Sequence, residues 1–156
     1  MSQGAPRDEK HDGRGLRFAV VATRWNAEIV EKLVVTTAGE LEACNGSVDA
    51  PYRCAGVFEL APLVARIARK GGIDGIVAIG CLIRGETDHY RLLADETTRA
   101  LGQLALELGT NPRPVALTFG VLACENEEQA RARSEKGREF AQACISQALA
   151  LRAVGD

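Results

Sequence analysis

Two kinds of hydrophobic pattern alternate along this chain. Short runs that are apolar on both faces indicate buried parallel strands, and longer stretches with apolar residues three or four positions apart indicate amphipathic helices. The predicted strands are residues 16–22, 48–54, 74–83 and 115–122, and the predicted helices are residues 26–44, 59–70, 88–108, 125–133 and 135–151. Because each strand is followed by a helix, the order predicts a three-layer α/β/α sandwich around a four-stranded parallel sheet.

Local signals mark the ends of these segments. Gly71-Gly72 is expected to stop the second helix, and Asn26 or Thr23 is expected to cap the first. Asp88 is a candidate N-cap for the third helix. The strand at residues 48–54 is more polar than the others, which favours an edge position, and a break near residues 134–137 separates the last two helices.

Length and composition bound the function. A chain of 156 residues predicts one domain, here residues 16–156, preceded by a polar, flexible N-terminal arm at residues 1–15 that does not resemble a secretory signal. A net charge of −2 favours neither nucleic-acid nor membrane binding. Five cysteines without a C-x-x-C pair are typical of buried, reduced thiols in a cytoplasmic protein. With only two histidines, no metal-ligand cluster is visible, and no cofactor is expected.

The loop after the third predicted strand carries the strongest chemical signal. Residues 83–90 read Ile-Arg-Gly-Glu-Thr-Asp-His-Tyr and join a buried strand to a helix. Such a junction presents free backbone N–H groups and the positive end of a helix dipole, which suits an anion. His89 adds a side chain that can exchange protons near neutral pH. This segment therefore predicts proton-transfer chemistry on a phosphorylated substrate.

Further motifs fall in or near the loops at the carboxyl ends of the predicted strands, where ligands bind in sheets of this kind. They read Arg24-Trp25-Asn26, Gly56-Val57-Phe58-Glu59, Thr118-Phe119-Gly120-Val121-Leu122 and Glu128-Gln129-Ala130. With residues 83–89, in this order and spacing, they resemble the 6,7-dimethyl-8-ribityllumazine synthase family from about Arg17 to Ala150. The resemblance implies a flavodoxin-like fold and a role in riboflavin biosynthesis. The family condenses 5-amino-6-ribitylaminouracil with 3,4-dihydroxy-2-butanone 4-phosphate and releases phosphate, without a metal or redox cofactor.

The resemblance implies a binding site for the pyrimidine substrate. Trp25 stands where the family usually has a phenylalanine that stacks on the pyrimidine ring, although a core or interface tryptophan is the alternative. Asn26 and Glu59 match positions near the ribityl chain, and a helix N-cap is the simpler explanation for Glu59. The ring pocket would be lined by Phe58 and Ile83, and Leu82 is a candidate whose alternative role is packing.

The resemblance also implies the phosphate and proton-transfer groups. Gly85, Glu86 and Thr87 match the loop whose backbone and hydroxyl hold the phosphate, with the amide of Glu86 facing the anion. His89 matches the proton-transfer residue. Phe119 matches a residue that reaches the pocket of an adjacent subunit, with a plain core phenylalanine as the alternative.

This sequence departs from the family in four places. Ala55 replaces the proline that usually precedes the glycine of the second loop, and Asp88 replaces a frequent proline or threonine beside His89. Val57 replaces a small alanine and is expected to add bulk beside the ribityl site, where it counts as a candidate binding residue. After Ala130 a glycine-rich segment is shortened by several residues. Arg133 then aligns with the phosphate-binding arginine, which offsets charge as phosphate leaves, and Lys136 with a lysine that reaches the substrate. Arg131 is the alternative to Arg133, and a solvated basic surface is the simpler explanation for both assignments.

Assembly follows from the resemblance as well. Family members have sites between subunits, so a homopentamer is the minimum, with an icosahedral shell as the larger option and riboflavin synthase as a candidate partner. The main alternative function is a non-catalytic or weakly catalytic lumazine- or flavin-binding cage, motivated by Val57 and the shortened loop. A different α/β enzyme acting on phosphorylated sugars is a third hypothesis.

Overall fold

The protein is an α/β domain, and its structure, a computed structural model, describes residues 9–155. Strands and helices follow in the order β1 (Arg17–Thr23), α1 (Ala27–Ala43), β2 (Ser47–Val48), β3 (Tyr52–Cys54), α2 (Leu60–Lys70), β4 (Gly75–Ile83), α3 (His89–Gly109), β5 (Ala116–Cys124), α4 (Glu127–Ala132) and α5 (Gly137–Val154). A short 3₁₀ helix, Val57–Glu59, leads into α2. The predicted fold class is confirmed.

The parallel sheet has five strands, one more than the sequence pattern predicts. The predicted strand 48–54 is divided into β2 and β3, which both pair with β1 on the same side. Phe18 pairs with Val48, and Val21 pairs with Tyr52. The segment from β2 to β3 therefore has one residue more than β1 between these two pairs. The extra residue makes a bulge, and Pro51 lies within it because proline has no N–H for the ladder. The other side of the sheet runs β1-β4-β5.

The hydrophobic core fills both faces of this sheet. Successive residues of β1 alternate between the two layers, with Phe18 and Val20 facing α1 and α5, and Ala19 and Val21 facing α2 and α3. β4 is buried on both sides in the same way over most of its length. This explains why its sequence is apolar throughout and shows no alternation.

The chain reverses direction across the sheet between β1 and β4. After β1 the chain moves to β2 and β3 on one side, and β4 then pairs with β1 on the other. The connections from β1 and β4 therefore run to opposite sides. The loops that follow these two neighbouring strands separate at the carboxyl edge of the sheet and leave a crevice between them. In doubly wound sheets that crevice is the usual ligand site.

The predicted helix ends are confirmed in part. Gly71 and Gly72 end α2 with φ of 81° and 76°, a conformation that suits glycine. The break between α4 and α5 is also present. Asn26 and Asp88 do stand at the N-cap positions of α1 and α3, as predicted, but neither side chain makes a capping hydrogen bond. Thr23 is not a cap, because its hydroxyl is buried without a hydrogen-bond partner among residues 9–155.

Part of the predicted N-terminal arm is visible. Residues 1–8 lie outside the described residues, whereas the His11 N–H donates to Gln142 Oε1 at 3.0 Å and the Gly13 N–H to the Cys44 carbonyl at 2.6 Å. The arm's predicted flexibility and its boundary at residue 15 stay predictions. No helix within residues 9–155 is both long enough and apolar enough to cross a membrane.

Candidate active site

The loop after β1 is fixed to the central strand by one side chain. Asn26 has φ of 53° and ψ of 49°, a left-handed conformation that asparagine tolerates better than most residues. Its Nδ2 donates to the carbonyl oxygen of Cys81 in β4 at 2.8 Å. The amide therefore ties the loop after β1, which also carries Trp25, to β4.

Trp25 and the loop after β3 form one side of the crevice. The indole is 73% exposed, and its edge lies beside Gly56, where a Cβ atom would be 3.7 Å from Cδ1. The Gly56 N–H donates to Glu59 Oε2 at 2.9 Å. Glu59 therefore orders the start of the 3₁₀ helix, as the helix-cap alternative expected, and its carboxylate lies close to the exposed aromatic ring.

Val57 and Phe58 differ strongly in exposure, although both line the same groove. Val57 is 5% exposed and packs against β4, where a Cβ atom on Gly80 would be 2.9 Å from its Cγ1. Its bulk lies in the core, contrary to the expectation that it crowds the ribityl site. Phe58 is 63% exposed and lines a shallow groove of about 170 Å³ between the start of α2 and the middle of α3. Thr97 also lines this groove, about 12 Å along α3 from His89.

The two apolar candidates at the end of β4 face opposite layers. Leu82 is half-buried against the α2 and α3 layer, and Ile83 is half-buried against the α1 and α5 layer. Both side chains therefore contribute to packing at the carboxyl end of β4, and each leaves part of its surface open to the crevice.

The predicted phosphate loop is open and leads directly into a long helix. Gly85, Glu86, Thr87 and His89 are all exposed, and α3 begins at His89 and continues for 21 residues. Thr87 Oγ1 accepts the His89 N–H at 3.4 Å, a long hydrogen bond that helps to close the first turn. Asp88 makes neither a side-chain cap nor an ion pair within residues 9–155.

The end of α4 and the segment that follows it are held against α1 by ion pairs. Arg131 binds Glu28 through two hydrogen bonds of 2.7 and 3.0 Å, and it binds Glu127 as well. Lys32, one turn further along α1, pairs with Glu135 at 2.6 Å. The Arg131 guanidinium lowers the pKa of Glu28 from its ordinary value. These contacts hold the side chains of Arg131 and Glu135 against α1.

Arg133, unlike Arg131, is bonded within the described residues to a backbone carbonyl and not to carboxylates. Its Nη1 donates to the backbone carbonyl of Gln129 at 3.0 Å, and no carboxylate among residues 9–155 forms an ion pair with it. Burial raises the pKa of the Cys124 thiol, and the Arg133 charge opposes that shift, which indicates that the guanidinium lies near the end of β5. Lys136, which directly precedes α5, forms an ion pair of 3.6 Å with Glu139 in the first turn of that helix.

Phe119 lies far from the other candidates within this chain. It is 44% exposed in the middle of β5, the edge strand, where it pairs with Ala78. Five residues separate it from Cys124 at the carboxyl end, which corresponds to about 17 Å along a strand. The phenylalanine therefore cannot close the crevice that holds Trp25 in the same chain.

Residues that the sequence analysis did not select connect the predicted parts. The Arg84 N–H donates to the Cys124 carbonyl at 2.9 Å, and the Arg84 guanidinium pairs with Glu125 at 3.1 Å. Gln129 Oε1 accepts the Glu125 N–H at 2.9 Å. The Glu128-Gln129-Ala130 motif was the available signal, although its structural role was not visible in the sequence. Among residues 9–155, no three histidine, cysteine or acidic side chains converge as metal ligands.

Comparisons with known proteins agree with this architecture. The family model described as 6,7-dimethyl-8-ribityllumazine synthase matches residues 15–152. Proteins of that name are similar to this chain over most of both lengths. The one from Kineococcus radiotolerans is 40% identical over 158 residues, covering 97% of this chain and 94% of its own. The one from Anaeromyxobacter sp. strain K is 37% identical, with coverage of 91% and 89%. The one from Nitratidesulfovibrio vulgaris is 40% identical, with coverage of 86% of each chain. The chain therefore belongs to the 6,7-dimethyl-8-ribityllumazine synthase family.

Proposed function

We propose that this protein condenses 5-amino-6-ribitylaminouracil with 3,4-dihydroxy-2-butanone 4-phosphate to give 6,7-dimethyl-8-ribityllumazine, with release of phosphate and water. The observation that carries the proposal is the family match across residues 15–152, which spans every strand and nearly all of the helical structure. The chain's own residues at the carboxyl edge supply groups that suit both substrates.

The phosphorylated ketose would bind at the junction of β4 and α3. Gly85, Glu86 and Thr87 are exposed there and precede a 21-residue helix, so backbone N–H groups and the helix dipole both favour an anion. Arg133 is the better candidate for the guanidinium partner, because Arg131 is already bonded to Glu28 and Glu127. A guanidinium that is not bound to a carboxylate can bind phosphate through two hydrogen bonds and offset the charge that develops as phosphate leaves. Lys136 would act as a secondary cation.

His89 would carry protons during the reaction. Formation of the imine, loss of phosphate and ring closure each move protons, and imidazole is suited to both giving and taking them near neutral pH. His89 occupies the first turn of α3 directly after the phosphate loop, and its side chain is exposed to the crevice edge. A proton carrier beside the departing phosphate fits the order of these steps.

The pyrimidine substrate would bind on the other side of the crevice. Trp25 offers an exposed aromatic face for stacking, and the Glu59 carboxylate beside it can accept hydrogen bonds from ribityl hydroxyls. Asn26 would act mainly by fixing this loop, since its amide is bonded to Cys81. Phe58, Ile83 and Leu82 would add apolar surface, and Val57 would contribute through its backbone.

The complete site would require a second subunit. Phe119 is exposed on the edge strand, about 17 Å from the carboxyl end of β5. At that distance it would contact the substrate bound by a neighbouring chain and not the substrate of its own chain. Trp25 and Phe58 are also exposed in the single chain, as expected for groups that an adjacent subunit covers. A homopentamer is the smallest assembly that we propose, and an icosahedral shell is the larger option. We also propose that the protein acts in the cytoplasm, where riboflavin synthase would use its product.

A steady-state assay tests this function. Purified protein is mixed with both substrates, and lumazine fluorescence and phosphate release are followed together. Equal rates of the two signals, above those of the uncatalysed mixture, are expected. Binding of lumazine or flavin without any acceleration would replace the enzyme with the non-catalytic cage. Light scattering on the same sample measures the assembly, and a monomeric active enzyme would contradict the shared site.

A further inference from the structure

Gln129 lies at the centre of a small hydrogen-bond network at the end of β5. Its side-chain Oε1 accepts the N–H of Glu125 at 2.9 Å, and its own N–H donates to Asn126 Oδ1 at 2.9 Å. Its backbone carbonyl accepts the Arg133 guanidinium at 3.0 Å. Gln129 thus connects three residues: Glu125 after β5, the α4 N-cap Asn126, and Arg133, the proposed phosphate-binding arginine.

The two side-chain bonds matter because α4 is short. A helix of six residues has almost no stability of its own, so its caps decide whether the first turn forms. Asn126 Oδ1 accepts the Gln129 N–H, and Gln129 Oε1 accepts the Glu125 N–H, so the arrangement resembles a capping box in which the second bond reaches one residue further back. Without these bonds the Gln129 carbonyl would lose its fixed position relative to β5.

The bond from Arg133 makes that position relevant to the site. Arg133 folds back along α4 to the Gln129 carbonyl, toward the end of β5 where Cys124 and Glu125 lie. The backbone bond from Arg84 to Cys124 ties the same strand end to the start of the phosphate loop. The Arg84–Glu125 ion pair adds little, because both side chains are more than half exposed.

We propose that Gln129 is a positioning residue for Arg133: it holds the first turn of α4 against the end of β5 and thereby sets the direction of the guanidinium toward the substrate phosphate. This inference rests on the proposed function, because it requires Arg133 to bind the ketose phosphate. It assigns to the Glu128-Gln129-Ala130 motif a role in organising the site, with no direct contact between Gln129 and substrate.

The test separates the two substrates. Gln129→Leu keeps the side-chain size but removes the acceptor, and it should raise the KM for the phosphorylated ketose by about three- to ten-fold, as expected for one lost hydrogen bond. The KM for the pyrimidine should change less than about two-fold, because that substrate lies across the crevice. Gln103→Leu is the matched control, since Gln103 is exposed on α3 and its side chain makes a single hydrogen bond within residues 9–155, of 3.4 Å to Glu107. It should leave both constants unchanged.

A double-mutant cycle tests whether Gln129 acts through Arg133. In the Arg133→Ala background, Gln129→Leu should cause no further rise in the ketose KM, because the group that it positions is gone. Additive losses, or equal rises for both substrates, would overturn the inference. If Gln129→Leu does not fold, Asn126→Ala weakens the same turn and should give the same selective effect.

The outcomes also separate this inference from the function beneath it. If Arg133→Ala alone leaves the ketose KM unchanged, the phosphate assignment of Arg133 is wrong, and the positioning role of Gln129 falls with it. If Arg133→Ala weakens ketose binding while Gln129→Leu and Asn126→Ala do not, only the positioning role is wrong.

Discussion

Arg133 and Arg131 allow a sharp test of the site because they are two residues apart and differ in their bonding. Arg131 makes hydrogen bonds to two carboxylates, at distances from 2.6 to 3.1 Å, whereas Arg133 bonds only to a backbone carbonyl within residues 9–155. We expect Arg133→Ala to reduce kcat/KM for the phosphorylated ketose strongly and Arg131→Ala to reduce it weakly.

The magnitude follows from the kind of bond that is lost. Hydrogen bonds to a charged group contribute about 1.5–3 kcal/mol, which corresponds to about a 10- to 150-fold loss of kcat/KM for Arg133→Ala. Arg133→Lys keeps the positive charge but not the planar pair of donors, so an intermediate loss is expected. Arg131→Ala removes exposed ion pairs only, and the expected loss is less than about three-fold.

The assay is steady-state turnover with the ketose varied at saturating pyrimidine, followed by phosphate release. Circular dichroism and melting temperature of each variant identify any loss caused by unfolding. A larger loss for Arg131→Ala than for Arg133→Ala, in folded protein, would show that the alignment of the shortened segment is wrong. Equal and small losses for both variants would remove this segment from the phosphate site.

Four further predictions concern other parts of the molecule. His89→Ala should slow turnover by ~10²-fold or less, because proton transfer is one contribution among several, and an unchanged kcat would exclude His89 from the mechanism. Asn26→Ala should raise the pyrimidine KM more than Asn26→Gly does, because alanine also disfavours the left-handed backbone by about 1–2 kcal/mol; equal effects would contradict this. Gly137→Ala should destabilise the fold by about 2–3 kcal/mol in urea unfolding, since a Cβ atom would lie 2.6 Å from the Leu33 carbonyl oxygen, and an unchanged midpoint would refute that clash. Burial, with a smaller contribution from the neighbouring Cys124, raises the pKa of Cys81 from 9.0 to about 11, so the native state holds this proton more tightly than the unfolded chain does. The free energy of unfolding should therefore decline as pH rises from 9.0 to about 11 in reducing buffer, and it should decline less steeply in Cys81→Ala. Parallel curves of unfolding free energy against pH for the two proteins would contradict this prediction.

Much of the fold was predictable because its signals are local. β4 is apolar throughout since it is buried on both faces, and the Gly71-Gly72 pair ends α2 because both residues adopt positive φ. The divided edge strand was not predictable in the same way. The one-residue bulge around Pro51 depends on how β2 and β3 each pair with β1, and the polar pattern of residues 48–54 does not encode that register.

The sequence by itself determined the fold class, the family and the loops that meet at one edge of the sheet. Parallel strands bring their carboxyl ends together whatever the details of packing, so the order of motifs was enough. Only the tertiary structure decided which side chains remain free to act. Val57 turns into the core against Gly80, and Arg131 is bound by Glu28, which lies 103 residues away in the chain. The physical reason is that a side chain can bind a substrate only if its neighbours in the fold leave it unburied and unpaired. Those neighbours come from helices that are distant in the sequence, and no local sequence pattern predicts where those helices pack.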